Sequence, residues 1–208
     1  MTLIDALASL AGMNAPVFET ADAAARLSVS NAYASTMLAR LATAGHVTRL
    51  RRGVWAFADR VDPLSLPSRL TAPLPSYVSL QTALYFHGMI SQVPAVTYAV
   101  SLARSRRFYT PLGTVSIHHV QASFFFGYEP TGGQGALIAS PEKALVDFLY
   151  LGPARSRLFR ALPELELPRQ FSRPATRDIA SRIVSPRRRE MVERGLQDLF
   201  DGAAARRT

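Results

Sequence analysis

The strongest constraint on the fold is a pair of short helical segments separated by only three residues. Thr20 is expected to cap an alanine-rich helix over residues 21–27, and Ser30 to cap a second helix over residues 31–44. Two capped helices that flank a turn at residues 28–30 predict a helix-turn-helix.

The second of these helices has one apolar and one polar face. Ala34, Leu38 and Leu41 follow the spacing of a buried helical stripe, and Gly45 ends the helix. In a DNA-bound helix-turn-helix the second helix enters the major groove, where its amide, hydroxyl and guanidinium groups reach bases and phosphates. The residues expected to contact DNA from this helix and its cap are Ser30, Asn31, Tyr33, Ser35, Thr36 and Arg40.

A hairpin is predicted directly after the second helix, because residues 46–57 alternate between apolar and polar on both sides of residues 51–53. A hairpin in this position is the wing of a winged helix-turn-helix, and it can lie along the phosphates or enter the minor groove. An earlier helix over residues 3–11 completes the predicted domain. The arginines expected to contact the DNA backbone are Arg26, Arg49, Arg51 and Arg52.

Basic residues dominate the part of the chain that holds these elements. Residues 23–128 contain ten arginines and only two acids, Asp59 and Asp62, in a chain of net charge +9. A long basic stretch favours a polyanionic partner, so double-stranded DNA is the expected ligand. The alternative is that residues 3–58 form a small helical body packed on the rest of the chain, with arginines that are simply solvated.

Composition excludes several classes of protein. The chain has no cysteine, which excludes a disulfide framework, a thiolate zinc site, an iron–sulfur cluster and a cysteine nucleophile. No apolar run reaches the roughly 18 residues that a membrane span requires. The first residues lack the basic segment and the cleavage site of a secretory signal, so a cytoplasmic location is expected.

Four prolines in residues 62–75 mark the expected boundary between two domains. We expect an α+β protein with a winged helix-turn-helix domain over residues 1–61, a proline-rich linker over 62–76 and a mixed α and β domain over 77–208. The elements expected in the last domain are a helix over 79–87, strands over 97–103, 108–110, 115–119, 123–128 and 136–139, a helix that begins at Ser140 and Pro141, and two or three helices after Pro153, the last over 186–200.

Histidines in the second domain do not form a predicted metal site. His118 and His119 are adjacent in a strand, so their side chains point to opposite faces and do not chelate one metal. His87 lies near the end of an apolar helix, where a hydrogen-bonded structural histidine is the expected role.

Other polar clusters in this domain also have simple explanations. Glu142, Lys143 and Asp147 would need carboxylates on neighbouring strands to form a nuclease site, and residues 97–128 contain none. The glycine-rich residues 131–135 lack the Lys-Ser/Thr of a phosphate loop. No catalytic residue, metal site or cofactor is therefore expected. A candidate second basic surface consists of Arg104, Arg106 and Arg107.

Four motifs follow the winged helix in a recognisable order. They are Tyr77-Val-Ser-Leu-Gln-Thr-Ala-Leu-Tyr-Phe-His-Gly88, Arg107-Phe-Tyr-Thr-Pro-Leu-Gly113, Phe125-Phe-Gly-Tyr-Glu129 and Ala139-Ser-Pro-Glu-Lys-Ala-Leu-Val-Asp147. The winged helix and these motifs, in this order and spacing, resemble the AbiEi-type antitoxin and transcriptional-regulator family over about residues 15–150.

The resemblance implies a transcriptional autorepressor in a bicistronic type IV toxin–antitoxin system whose partner gene encodes a nucleotidyltransferase-like toxin. It also implies that the winged helix binds operator repeats, that the second domain is needed for antitoxicity, and that no stable complex with the toxin forms. Inverted repeats are expected from the usual binding mode of winged helices. Two alternatives stay open: a nuclease or toxin-modifying transferase built on the second domain, and a module that binds the toxin directly.

Overall fold

The computed structural model describes residues 1–132, 134–152 and 165–205, with side chains described as far as residue 201. Its N-terminal part contains helices α1 (Leu3–Ala11), α2 (Thr20–Leu27) and α3 (Asn31–Thr43). Their apolar faces meet in one core, where Leu10, Leu38 and Leu41 are fully buried. The predicted pair of helices around residues 28–30 is therefore present.

The caps of these helices agree with the sequence at one position and differ at another. The Ser30 side chain accepts a hydrogen bond from the backbone N–H of Tyr33 at 3.2 Å, which confirms it as the cap of α3. The predicted cap at Thr20 is wrong, because α2 begins at Thr20 and Glu19 takes the cap position. The Thr20 hydroxyl oxygen instead accepts from the indole Nε1 of Trp55 at 3.0 Å, which fastens α2 to the hairpin.

A three-stranded antiparallel sheet packs beside the helices. It consists of β1 (Val17–Glu19), β2 (Thr48–Arg51) and β3 (Val54–Ala56) in the order β1-β3-β2, and β2 with β3 forms the predicted hairpin. The sequence does not predict β1, because three residues are too few to show a period of two. Trp55 points into the helical core, whereas Val54 and Ala56 belong to a second core shared with the C-terminal sheet. The hairpin is therefore an inner layer of the structure.

Residues 62–76 differ from the extended linker that the prolines suggest. Pro63–Ser65 form a short 3-10 turn and Leu66–Thr71 form helix α4, in which Leu66 and Leu70 are buried. Pro63 and Pro67 occupy the first turns of these elements, where a helix does not need the missing N–H, and Pro73 and Pro75 follow α4. This segment is part of the core between the two sheets. The division into domains stays a prediction.

The C-terminal part is built on a mixed six-stranded sheet. Its strands are β4 (Ser76–Val78), β5 (Val96–Ser101), β6 (Arg106–Thr110), β7 (Gly113–His119), β8 (Tyr128–Thr131) and β9 (Ala136–Ala139), in the order β6-β7-β5-β4-β9-β8. The pairs β5–β7 and β4–β9 are parallel and the other neighbours are antiparallel. Strands β6 and β8 form the two edges.

Each face of this sheet belongs to a different core. Tyr98 and Val100 of β5 face helices α5 (Leu80–Phe86), α6 (Pro141–Leu151), α7 (Arg173–Ser181) and α8 (Pro186–Ala205). Ala99, between them in the chain, points the other way and packs with the hairpin and α4. Because successive side chains of β5 point to opposite faces, the same sheet packs against the C-terminal helices on one face and against the N-terminal hairpin on the other.

Several predicted elements of this part need correction. Strand β9 and the start of α6 are confirmed, with the Ser140 side chain accepting from the Lys143 backbone N–H at 3.1 Å. The predicted strand over 123–128 is wrong, because residues 122–124 form a 3-10 turn and β8 begins only at residue 128. Strand β4 lies in the stretch predicted to be a linker and a helix start, and no strand is expected there. Residues 153–164, where the first of the later helices is expected, lie outside the described residues.

The predicted fold class is confirmed: the chain is α+β, with N-terminal helices followed by a mixed-sheet region. In the described ranges, every helix is too short or too polar to cross a lipid bilayer.

Candidate nucleic-acid interface

The polar face of α3 is open to solvent along its length. Ala34, Met37 and Leu38 turn into the helical core and leave the opposite side free. At ~1.5 Å per residue, the thirteen residues of α3 span about 20 Å, enough to lie in a major groove. The predicted contact residues that are exposed here are Ser30, Asn31, Tyr33, Ser35, Thr36 and Arg40.

These side chains differ in the hydrogen-bonding capacity they have left. The Thr36 hydroxyl donates to a carbonyl one turn earlier at 3.1 Å, so only its oxygen lone pairs remain for a ligand. The Ser30 oxygen is the cap acceptor, but its hydroxyl hydrogen is free to donate. The side chains of Asn31, Ser35 and Arg40 have no hydrogen-bond partner within the described part of the chain. These three side chains, like the exposed Tyr33 hydroxyl, keep their full hydrogen-bonding capacity for a ligand.

Arg26 already has a structural use. Its Nε donates to the carbonyl of Ser9 at 3.1 Å, near the end of α1, where helical carbonyls lack intrahelical partners. The bond ties α2 to α1. Because Arg26 is exposed, its remaining N–H groups still face solvent, and the predicted phosphate contact would have to be made by them.

The three arginines of the hairpin occupy three different environments. Arg49 pairs across the sheet with Trp55, and its guanidinium carbon lies 5.6 Å from the centre of the indole ring. Arg51 pairs with Val54, on the side that faces the C-terminal sheet; it is half-buried, and its Nε is shielded from solvent without a hydrogen-bond partner. Arg52 is exposed in the turn between the strands. The predicted tip is therefore formed by Arg52 and not by Arg51.

The second basic group expected from the sequence is divided by the edge strand β6. Arg106 pairs with Ile117 and Arg107 pairs with Ser116, so the two neighbouring arginines point to opposite faces of the sheet. Ile117 belongs to the core that includes the hairpin, and Arg106 lies on that side. Arg104 is exposed in the loop before β6. The structure does not bring the three arginines together on one surface.

The histidines take the positions that the sequence predicts. His119 is exposed, whereas His118 is half-buried with Nε2 3.1 Å from the hydroxyl oxygen of Ser116. Burial, with a smaller contribution from the nearby Arg107 cation, lowers the pKa of His118 to about 4. The imidazole of His118 is therefore neutral at pH 7. His87 Nε2 donates to the carbonyl at the end of β9 at 2.8 Å, which confirms its structural role.

A fully buried ion pair lies in the C-terminal core. The Lys143 Nζ is 2.5 Å from Oδ1 of Asp147, one turn later on α6. The other carboxylate oxygen accepts from the hydroxyls of Tyr77 at 3.0 Å and Ser79 at 2.8 Å. The ammonium also donates to the carbonyl of Phe124 at 3.2 Å and lies 3.6 Å from the centre of its ring. We refer to these five residues as the buried network.

The buried network accounts for a cluster that resembles part of a nuclease site. Lys143 and Asp147 are inaccessible, and Glu142 is engaged elsewhere, accepting from the Ser172 backbone N–H at 2.9 Å. Burial lowers the pKa of Lys143 although Asp147 opposes this shift, and burial together with Asp147 raises the pKa of Tyr77 well above its usual value. In the described residues, no three or more histidine, aspartate or glutamate side chains converge on a metal site.

The sequence analysis does not predict the buried network. Two signals could have suggested it: Lys143 is the only lysine in an arginine-rich chain, and Asp147 follows it at the spacing of a helical ion pair. Neither signal shows burial, because a lysine and an aspartate one turn apart are usually found on an exposed helix face.

The N-terminal part of the chain matches a known family. A family model described as "Transcriptional regulator, AbiEi antitoxin" matches residues 5–58, which include most of α1, the whole of α2 and α3, and all three strands of the first sheet. This confirms, for those residues, the resemblance seen in the sequence. A comparison with curated proteins finds no match to the chain.

Proposed function

We propose that this chain is a sequence-specific DNA-binding repressor, and the antitoxin of a type IV toxin–antitoxin operon that it autoregulates. The observation that carries the proposal is the exposed polar face of α3, presented by a helix-turn-helix that matches an antitoxin regulator family. The chain acts in the cytoplasm by binding, without a cofactor.

In this proposal α3 enters the major groove and the rest of the N-terminal part contacts the backbone. Asn31 has the amide that pairs bidentately with adenine, and Ser35, one turn later, reaches a base edge or a phosphate. Arg40, farther along the helix, and Arg52, in the hairpin turn, neutralise phosphates. Base contacts carry the specificity, whereas phosphate contacts set affinity and position.

Repression then follows from occupancy of the operator. An inverted repeat places two copies of the chain on half-sites about 34 Å apart, one helical turn, with an α3 helix in each major groove. Two copies bound over a promoter exclude polymerase from it.

The test is a fluorescence-anisotropy titration of the full chain with a duplex from upstream of its own gene, beside a random duplex of equal length. Asn31→Ala should weaken operator binding by roughly 10-fold, as one lost base contact predicts, and leave binding to the random duplex unchanged. Ser35→Ala should also weaken operator binding, and its effect on the random duplex distinguishes a base contact from a phosphate contact. Arg52→Ala should weaken binding to both duplexes by the same factor. Arg177→Ala, which removes an exposed arginine from α7, is the matched control for charge alone.

Two results would overturn the DNA-binding proposal. One is equal affinity of the unaltered chain for the upstream and random duplexes. The other is an Asn31→Ala, Ser35→Ala double variant that keeps full preference for the upstream duplex while its circular dichroism spectrum stays native.

The antitoxin part of the proposal is tested in cells that express the adjacent open reading frame. Co-expression of this chain should restore growth, and affinity purification of the chain should leave the second protein behind. Stable co-purification of the two proteins would instead favour direct toxin binding, the alternative that the sequence leaves open.

A further inference from the structure

Two arginines from distant parts of the sequence lie on the two strands that meet where the hairpin packs on the C-terminal sheet. Strand β2 lies against strand β6 at this place, which we call the seam. Arg51 of β2 points towards the C-terminal sheet, because it pairs with the inward-facing Val54. Arg106 of β6 points towards the hairpin, because it pairs with Ile117 of the same shared core.

In the part of the chain that the structure describes, no carboxylate forms an ion pair with Arg51 or Arg106. The Arg51 Nε is shielded from water and makes no hydrogen bond. The Arg106 guanidinium carbon lies 4.8 Å from the centre of the Phe108 ring, a stacking contact that limits its movement.

This arrangement favours an anion. Like charges on facing strands repel each other, and a phosphate between them would turn the repulsion into two attractions. The planar guanidinium fork suits phosphate oxygens better than a lysine ammonium would. Arg52 is exposed in the adjoining turn, so a duplex that contacts this turn brings its backbone near the seam.

We propose that Arg51 and Arg106 hold one backbone phosphate of the bound DNA duplex between them, so that the C-terminal sheet contributes to DNA binding. This inference rests on the proposed DNA-binding function and extends it beyond α3 and the hairpin turn. Because the hairpin and the C-terminal sheet share one apolar core, the contact also fixes the orientation of the C-terminal part on the DNA.

The chain supplies a matched control in the next residue. Arg107 is also exposed and on the same edge strand, but it points to the opposite face, beside Ser116 and His118. Arg106→Gln and Arg107→Gln therefore remove the same charge from adjacent positions. Only Arg106→Gln removes it from the seam.

The experiment measures binding of the full chain to its upstream duplex at several salt concentrations. Arg106→Gln should weaken binding about tenfold at low salt and reduce the slope of log K against log salt by about 0.9, the value for one phosphate contact. The affinity for the random duplex should fall by the same factor, since a phosphate contact has no sequence preference. Arg107→Gln should change neither the affinity nor the slope.

A double-mutant cycle tests whether the two arginines share one phosphate. If they do, the Arg51→Gln, Arg106→Gln double variant loses less affinity than the product of the two single effects. Thermal melting of each variant checks that replacing the half-buried Arg51 leaves the fold intact. If Arg51→Gln melts early, Arg51→Lys, which keeps the charge but not the planar fork, takes its place in the cycle.

The outcomes separate this inference from the proposed function. Equal salt slopes for Arg106→Gln and Arg107→Gln, in a chain that still prefers its upstream duplex, would contradict the phosphate contact at the seam. The proposed DNA-binding function would be unaffected. Loss of that preference in Asn31→Ala, together with a reduced slope only in Arg106→Gln, supports both. If the unaltered chain does not prefer its upstream duplex, the proposed function itself is wrong.

Discussion

Breaking the buried ion pair by changing one partner should destabilise the protein far more than changing both. Asp147→Asn leaves the Lys143 ammonium in the core without its carboxylate, beside the Phe124 carbonyl and the aromatic rings around it. Lys143→Met leaves a buried carboxylate that accepts from two hydroxyls, those of Tyr77 and Ser79. Removing one partner of a buried pair typically costs about 3–5 kcal/mol. We expect about 3 kcal/mol from either change, because the remaining contacts offset part of the loss.

The double variant should be close to the unaltered protein. A thioether then replaces the ammonium at position 143 and an amide replaces the carboxylate at position 147, so no ion is buried. The amide oxygen still accepts from Tyr77 and Ser79. Replacement of a buried pair by uncharged side chains of similar volume is often neutral, so the expected loss is about 0–2 kcal/mol. The coupling energy between the two positions is then about 4 kcal/mol or more.

Urea unfolding followed by far-ultraviolet circular dichroism measures these free energies. Trp55 is the only tryptophan and lies in the N-terminal core, so its fluorescence reports whether the two parts unfold together. Single variants that lose no more than the double variant, with native spectra throughout, would refute the reasoning. The pair would then be an incidental contact in the core.

Three further variants test the packing and charge of the C-terminal part. A Cβ at Gly127 (φ +75°) would lie 3.1 Å from Cγ of Lys143, whereas one at Gly135 (φ +71°) would meet nothing within 4 Å. In both alanine variants the free energy of unfolding should fall by about 1 kcal/mol, because an alanine is strained at a positive φ. Gly127→Ala should lose a further ~1–3 kcal/mol from overpacking, so its urea midpoint should be lower than that of Gly135→Ala. The pKa of His118 is about 4 in the folded protein, below its ordinary value of 6.5. As the pH falls, His118 is therefore protonated in the unfolded chain before it is protonated in the folded one. Its contribution to stability is complete above about pH 6.5 and falls by up to ~3 kcal/mol towards pH 4, and His118→Gln should flatten that decline. An identical decline in His118→Gln would contradict the assignment.

Local signals in the sequence predict the elements that place the candidate interface. The caps at Ser30 and Ser140 are bonds between a side chain and a backbone N–H three residues later, so the sequence nearby contains all the information they need. The apolar stripe of α3 likewise determines which side faces solvent. For these reasons the exposed face of α3 could be predicted without a structure.

Long-range pairing decides the features that the sequence does not reveal. The environment of Arg51 depends on a register shift in the hairpin between Arg49 and Arg51, which makes Arg51 pair with Val54. Simple alternation does not show such a shift. The split between Arg106 and Arg107 follows from alternation, but which face meets the hairpin depends on how two sheets pack. Tertiary contacts therefore set the role of each arginine outside α3.

The family-like motifs of the C-terminal part have a structural explanation in the buried network. Tyr77 and Ser79 come from the first motif and Lys143 and Asp147 from the last, while Gly127 of the third leaves no room for a side chain against Lys143. These motifs thus specify a core, and the family match itself ends at residue 58. If the chain is an antitoxin as proposed, substitutions at Tyr77, Ser79, Lys143 or Asp147 should lower antitoxicity by destabilising the fold, whatever surface acts on the toxin. A search for that surface should therefore begin with exposed residues and include a measurement of folding for every variant.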